Sequence, residues 1–126
     1  MTSKEKKSRL LQFAQMEKRI EELTMEREHL IKTLEFKPEN IEKIKLIDNM
    51  LNEEIDMLID ELEYITTAIK NIPSVSERRI LWLHYVGKLE HGKRRRLMLW
   101  EIANEISYSL DWVKRAHIKA LNKIKF

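Results

Sequence analysis

Apolar residues in the first third of the chain recur in steps of three and four: Phe13, Met16, Ile20, Leu23, Leu30 and Leu34, with Arg27 filling the single gap. Such spacing keeps one stripe facing one way along a helix, the mark of a heptad seam. A second seam runs Ile41, Ile44, Leu51, Ile55, Leu58, Leu62, Ile65 and Ile69, interrupted only at Asp48, and Pro38 suits its helix start. If the chain reverses between Phe36 and Asn40, Leu34 meets Ile41, Leu30 meets Ile44, Leu23 meets Leu51 and Ile20 meets Ile55. The same register sets Arg27 against Asp48. The expectation is an antiparallel coiled-coil hairpin over residues 1–72, with a seam ion pair fixing its register. Were that pair buried, removing one partner costs about 3–5 kcal/mol.

The second helix carries another stripe, Leu46, Met50, Met57, Tyr64 and Ala68, that one partner helix cannot cover. At ~1.5 Å per residue it spans roughly 33 Å, more than a small module hides. A homodimer through the hairpin is therefore preferred to burial against the rest of the chain. RNA polymerase is a further candidate occupant.

Beyond Pro73 the period continues in shorter pieces. Ser74-Val75-Ser76-Glu77 reads as a capping box opening a helix from Val75 to about Val86, with Ile80, Leu83 or Leu81, and Val86 as its apolar face and Gly87 as its stop. Leu99, Ile102, Ala103 and Ile106 share one helical face, and small Ala103 permits a close crossing. Ser109 caps a last helix whose buried stripe is Val113, Ala116, Ala120 or Leu121, and Ile124. The fold class expected is all-α: the helical hairpin, then a three-helix helix-turn-helix module over residues 73–126. A core of about fifty residues is at the lower end of what folds alone, so the module is expected to lean on the rest of the chain.

Charge sharpens the picture. The 126 residues carry a net charge of +3, but residues 1–75 hold 12 Lys and Arg against 16 Asp and Glu, and residues 76–126 hold 12 against 5. Positive potential concentrated on a small module suits phosphate binding. No apolar run is long enough to span a membrane and no signal-peptide pattern opens the chain, so a soluble cytoplasmic protein is expected. With no cysteine, thiolate metal sites and disulfides are excluded. His29, His84, His91 and His117 form no ligand pair at helical spacing with a carboxylate, and neither a metal nor a cofactor is expected. The absence of a glycine-rich phosphate loop, a nucleophile elbow or paired catalytic carboxylates points away from an enzyme.

Pro73, Glu77-Arg78-Arg79-Ile80-Leu81, His84-Tyr85, Glu101-Ile102-Ala103, Ser109, Val113, Ala116 and Ala120-Leu121 together resemble the promoter-reading C-terminal domain of bacterial sigma factors. Tyr108-Ser109 in the turn and Arg115-Ala116-His117 in the last helix are similar to phage-encoded late-gene activators of the ArpU/RinA kind. The resemblance covers roughly the last 55 residues. It departs from the family in a basic insertion, Lys88 to Arg96, and in Ser107 at a turn position usually held by Gly or Asn. The resemblance implies a regulator of phage or prophage transcription acting on double-stranded DNA. Small terminase subunits, which also join a helix-turn-helix to an oligomerising part, and a polymerase-binding adaptor are the alternatives.

Asp111, Trp112, Lys114, Arg115, Ile118 and Lys119 face outward as candidates for the groove, and because the early turns of a recognition helix reach deepest into the major groove, Trp112 and Arg115 are the ones expected at bases or the groove wall. Arg115 suits guanine best, because its fork matches O6 and N7. Packing of Trp112 onto the module is an equal alternative. Lys114, Lys119 and Lys123 are expected at phosphates, with Arg78 and Arg79 as further candidates, and such contacts position without reading sequence. Lys93, Arg94, Arg95 and Arg96 form a candidate basic wing with His91-Gly92 as its tight turn. A solvated charge run is the plainer reading of the same residues.

Overall fold

The computed structural model describes residues 1–34 and 37–126; Phe36, at the expected reversal, lies outside them. Among the described residues it contains α1 (Ser3–Thr33), a 3₁₀ turn at Pro38–Asn40, α2 (Ile41–Lys70), α3 (Val75–Leu81), a π-helical turn at Trp82–Val86, strands β1 (Lys88–Glu90) and β2 (Lys93–Arg95), α4 (Leu99–Ile106) and α5 (Leu110–Lys123). The chain is thus mostly helical. The purely α expectation is corrected by one antiparallel two-stranded sheet, pairing Lys88 with Arg95 and Glu90 with Lys93. Its physical cause is the two-residue turn: His91 (φ 52°) and Gly92 (φ 76°) both take the positive φ that a tight hairpin turn demands. No described helix is long and apolar enough to cross a membrane.

Two compact units emerge. One comprises residues 15–62 and the other residues 1–14 with 63–126.

In the first unit, Leu23 and Ile55 are buried, and Met16, Ile20, Leu30, Leu34, Ile44, Leu51, Leu58 and Leu62 are partly so; Ile41 stays exposed. Arg27 Nε lies 3.8 Å from Asp48 Oδ1, and Arg19 Nε lies 3.4 Å from Glu54 Oε1. These pairs join the second half of α1 to the first half of α2 in opposite chain directions. Their side chains are about a third to a half exposed: 31% and 38% for Arg27 and Asp48. The expected buried-pair cost therefore does not apply, and an exposed pair contributes ~0.2–1 kcal/mol. Asn52 ties the two together, accepting from Arg27 Nη1 and donating to Asp48 Oδ2 at 3.2 Å.

In the second unit, Leu10 and Phe13 of α1 and Ile65, Ala68, Ile69 and Ile72 are buried with the residues of the small helices. Ala68 and Tyr64 are thereby taken out of the long outer stripe of α2. The Tyr64 ring stacks on Phe126 at 6.2 Å, and the Arg9 guanidinium lies 4.6 Å over it. The opposite end of the stripe stays uncovered, with Leu46 63%, Met50 61% and Met57 73% exposed.

α3 begins as expected, Ser74 Oγ accepting from Glu77 N at 3.3 Å. The reciprocal half of the capping box is absent, because the Glu77 carboxylate turns to Lys123. The last turn of this helix widens, Gly87 N donating to Trp82 O at 2.7 Å. Gly87 then stands at φ 104°, ψ 171°, a region essentially reserved for glycine. A Cβ there would lie 2.9 Å from the backbone C and O of Arg95, so the β-hairpin and the end of the preceding helix require glycine twice over.

Candidate nucleic-acid interface

The last three helices enclose a core of Ile80, Leu83, Leu97, Ile102, Ala103, Val113 and Ala116, with Leu99, Ile106 and Trp112 packed against its edge. α5 gives Val113 and Ala116 to that core, one helical step of three apart, and Ala120, Leu121 and Ile124 continue the same buried face. α4 starts at Met98, whose N–H donates to Glu101 Oε1 at 3.1 Å, and ends at Ser107 in the left-handed conformation (φ 61°, ψ 40°). The chain can then turn within three residues, Tyr108 N donating to Ala103 O. Ser109 Oγ accepts from Trp112 N at 3.1 Å and opens α5.

On α5, Asp111, Lys114, Arg115, Ile118 and Lys119 are exposed, while Val113, Ala116, His117, Ala120 and Leu121 are buried. Trp112 is half-buried and stacks on Tyr108, ring centroids 4.1 Å apart and planes 14° apart. Packing therefore holds the indole, and only part of it faces solvent. Arg115 Nε reaches back to Asp111 O at 3.4 Å, and with Lys119, Trp112, Ala116, Ser74, Ser76 and Glu77 it lines an open groove. Arg115 and Lys119 bring two cations to that groove and Ser74 and Ser76 two hydroxyls, while the Glu77 carboxylate in its lining is neutralised by Lys123. Such a surface favours phosphate oxygens over apolar ligands.

Internal ion pairs sort the remaining basic candidates. Lys123 Nζ lies 3.0 Å from both carboxylate oxygens of Glu77, which is buried. That pair links the end of α5 to the start of α3, so Lys123 is engaged within the protein. Arg95 Nη1 lies 2.6 Å from Glu101 Oε2, and its Nε lies 3.1 Å from Glu90 Oε2. Its guanidinium holds both carboxyls below the usual carboxylate range. Lys88 does the same for Glu105 at 2.9 Å. Arg94 lies 6.0 Å over the Phe13 ring. Arg78 Nη1 reaches Lys70 O at 3.5 Å, and Arg79 is exposed. Lys93 and Arg96 are exposed on and just after β2. Four of the five acids beyond residue 75 are thus consumed by Lys88, Arg95 and Lys123, leaving Asp111 as the acid on the outer face of α5.

A buried polar cluster lies behind α5. Tyr85 Oη is 2.7 Å from His117 Nε2, the two rings stack, and His84 meets His117 edge-on at 5.2 Å. His84 Nδ1 donates to Leu97 O at 2.8 Å, which fixes a proton on that nitrogen. Burial pushes the His117 imidazole down to about 4, with His84 and Lys7 adding to the effect, and lowers His84 as well. Burial also raises the Tyr85 phenol to about 12. The sequence hint for this cluster is that His117 falls next to Ala116 on the buried face of α5. Glu77 similarly precedes Ile80 and Leu81 at inward-facing helical spacing. Comparison with protein-family models, with curated proteins and with solved structures finds no match for this chain.

Proposed function

We propose that this protein is a sequence-specific DNA-binding transcriptional regulator, in which α4, its turn and α5 act as a helix-turn-helix and α5 enters the major groove of double-stranded DNA. The observation that carries this reading is the division of α5. Its core face is filled by Val113, Ala116 and Ala120, while Lys114, Arg115 and Lys119 stand outward around the early and middle turns. In this reading Arg115 contacts a base edge, Lys114, Lys119 and Arg79 meet phosphates, and β1 and β2 form a wing presenting Lys93 and Arg96. Lys123 and Arg95 hold the module together and make no DNA contact. α1 and α2 serve as an antiparallel helical hairpin for assembly into a homodimer. By the sigma-like resemblance, the target is a promoter or operator of phage or prophage genes.

The test is selection of bound duplexes from a random library at fixed salt, followed by titration of the enriched site. Arg115→Ala is expected to lose discrimination at one base position, a contact of this kind contributing about 1–3 kcal/mol. Lys114→Ala and Lys119→Ala are expected to weaken all duplexes alike and reduce the salt slope by ~0.9 each. Failure of the protein to bind any duplex at low salt overturns the proposal.

A further inference from the structure

α2 presents two opposed stripes. One, containing Ile44, Leu51, Ile55 and Leu58, is turned inward within the unit of residues 15–62. The other, Lys43, Leu46, Met50, Glu53, Met57 and Asp60, is exposed at every position. Its steps are three, four, three, four and three, the spacing of a coiled-coil seam. This series reads the same from either end. A helix bearing it can therefore also meet a second copy of itself antiparallel, seam on seam, about a two-fold axis between Leu51 and Asn52.

Charge agrees with that symmetry. In the antiparallel register Lys43 faces the partner's Asp60, Leu46 faces the partner's Met57, and Met50 faces the partner's Glu53. Lys43 and Asp60 take no part in the ion pairs among the described residues, so each is available to the other chain. Parallel pairing would instead set Lys43 against Lys43 and Asp60 against Asp60, which like charges disfavour. The stripe covers about 26 Å of helix at ~1.5 Å per residue, with apolar contact at three positions in each copy. An interface this narrow gives a reversible dimer.

We infer that the outer face of α2 is a homodimer interface in which two copies of this helix pack antiparallel, centred between Leu51 and Asn52 and bounded by two Lys43–Asp60 ion pairs. The inference rests on the reading of the helical hairpin as the assembly part, and it is independent of DNA binding. Glu53 is its weak point. Two copies of that carboxylate lie near the axis and repel.

The experiment uses the whole chain in sedimentation equilibrium. Wild-type protein is expected to pass from monomer to dimer with concentration. Met57→Glu, at an exposed site that leaves the monomer folded by circular dichroism, is expected to stay monomeric, and Glu53→Leu to dimerise more tightly. Lys43→Glu and Asp60→Lys are each expected to weaken self-association by about tenfold, since both end pairs become repulsive. Mixed together, these two variants are expected to form heterodimers preferentially, because both end pairs are then opposite in charge. A wild-type monomer at all concentrations overturns the inference and the assembly reading together, leaving the face to another protein. A dimer that forms without any preference between the charge variants, or that survives Met57→Glu, overturns the inference alone. A ring of more than two copies overturns it as well.

Discussion

His117 sits on the recognition candidate α5 yet points inward, against Tyr85 and His84, with Lys7 and Arg96 as the nearest cations. Burial, the other imidazole and Lys7 oppose a proton on His117, Lys7 and Arg96 oppose one on His84, and no described carboxylate compensates. The unfolded chain titrates its histidines near 6.5, while folded His117 titrates at about 4. Protons therefore bind the unfolded state in preference between those values. Stability is complete above pH 6.5, falls as the pH drops toward about 4, and loses nothing further from this group below that. Each tenfold difference in proton affinity between the folded and unfolded chain is worth about 1.4 kcal/mol, so His117 alone contributes about 3 kcal/mol to this loss. Urea unfolding between pH 7.5 and 4.5 checks it: His117→Gln is expected to be less stable at pH 7.5 but distinctly less sensitive to acid. Spacing places His117 beside Ala116, but the donor and acceptor geometry comes from Tyr85, 32 residues away. No local pattern in the sequence carries that information.

At the scale of elements, what can be read from the sequence is what depends on neighbours within a turn or two. The two seams, the Ser74 and Ser109 caps and the stop at Gly87 are of this kind. The fine structure around them is not, because it depends on which side chain wins a shared partner. Glu77 abandons its own helix end for Lys123, 46 residues on, and Arg95 joins β2 to Glu101 in the first turn of α4. The basic insertion thus divides into anchoring and presenting residues that sequence could not distinguish. Arg95→Ala is expected to lower the thermal midpoint, since it releases two carboxylates and loosens the hairpin from α4. Lys93→Ala with Arg96→Ala is expected to leave that midpoint unchanged and to reduce the salt slope of DNA binding by up to ~0.9 per lost phosphate contact. Melting curves and salt titrations of the two variants separate these roles. An unchanged slope in the double variant makes the hairpin a spacer rather than a wing.

At the scale of the molecule, one stripe of α2 is divided between two tasks. Tyr64 and Ala68 are engaged by the chain's own C-terminal unit, and Leu46, Met50 and Met57 are left for another surface. Reading the stripe as continuous therefore overestimates its free length, whereas its remaining part has the two-fold pattern that a single sequence can display without any partner in view. If two copies join there and α5 reads DNA as proposed, two such helices become linked, and the second half-site is engaged at a high effective concentration. Affinity for a symmetric operator then depends on α2, although α2 makes no contact with DNA in this reading. Met57→Glu is expected to weaken binding to a site with two inverted half-sites by about tenfold or more, while binding to an isolated half-site is unchanged. Parallel titrations of the two duplexes measure the difference directly. Equal loss on both duplexes would place Met57 in the folding of the DNA-binding unit, and loss on neither would mean that each copy reads its site alone.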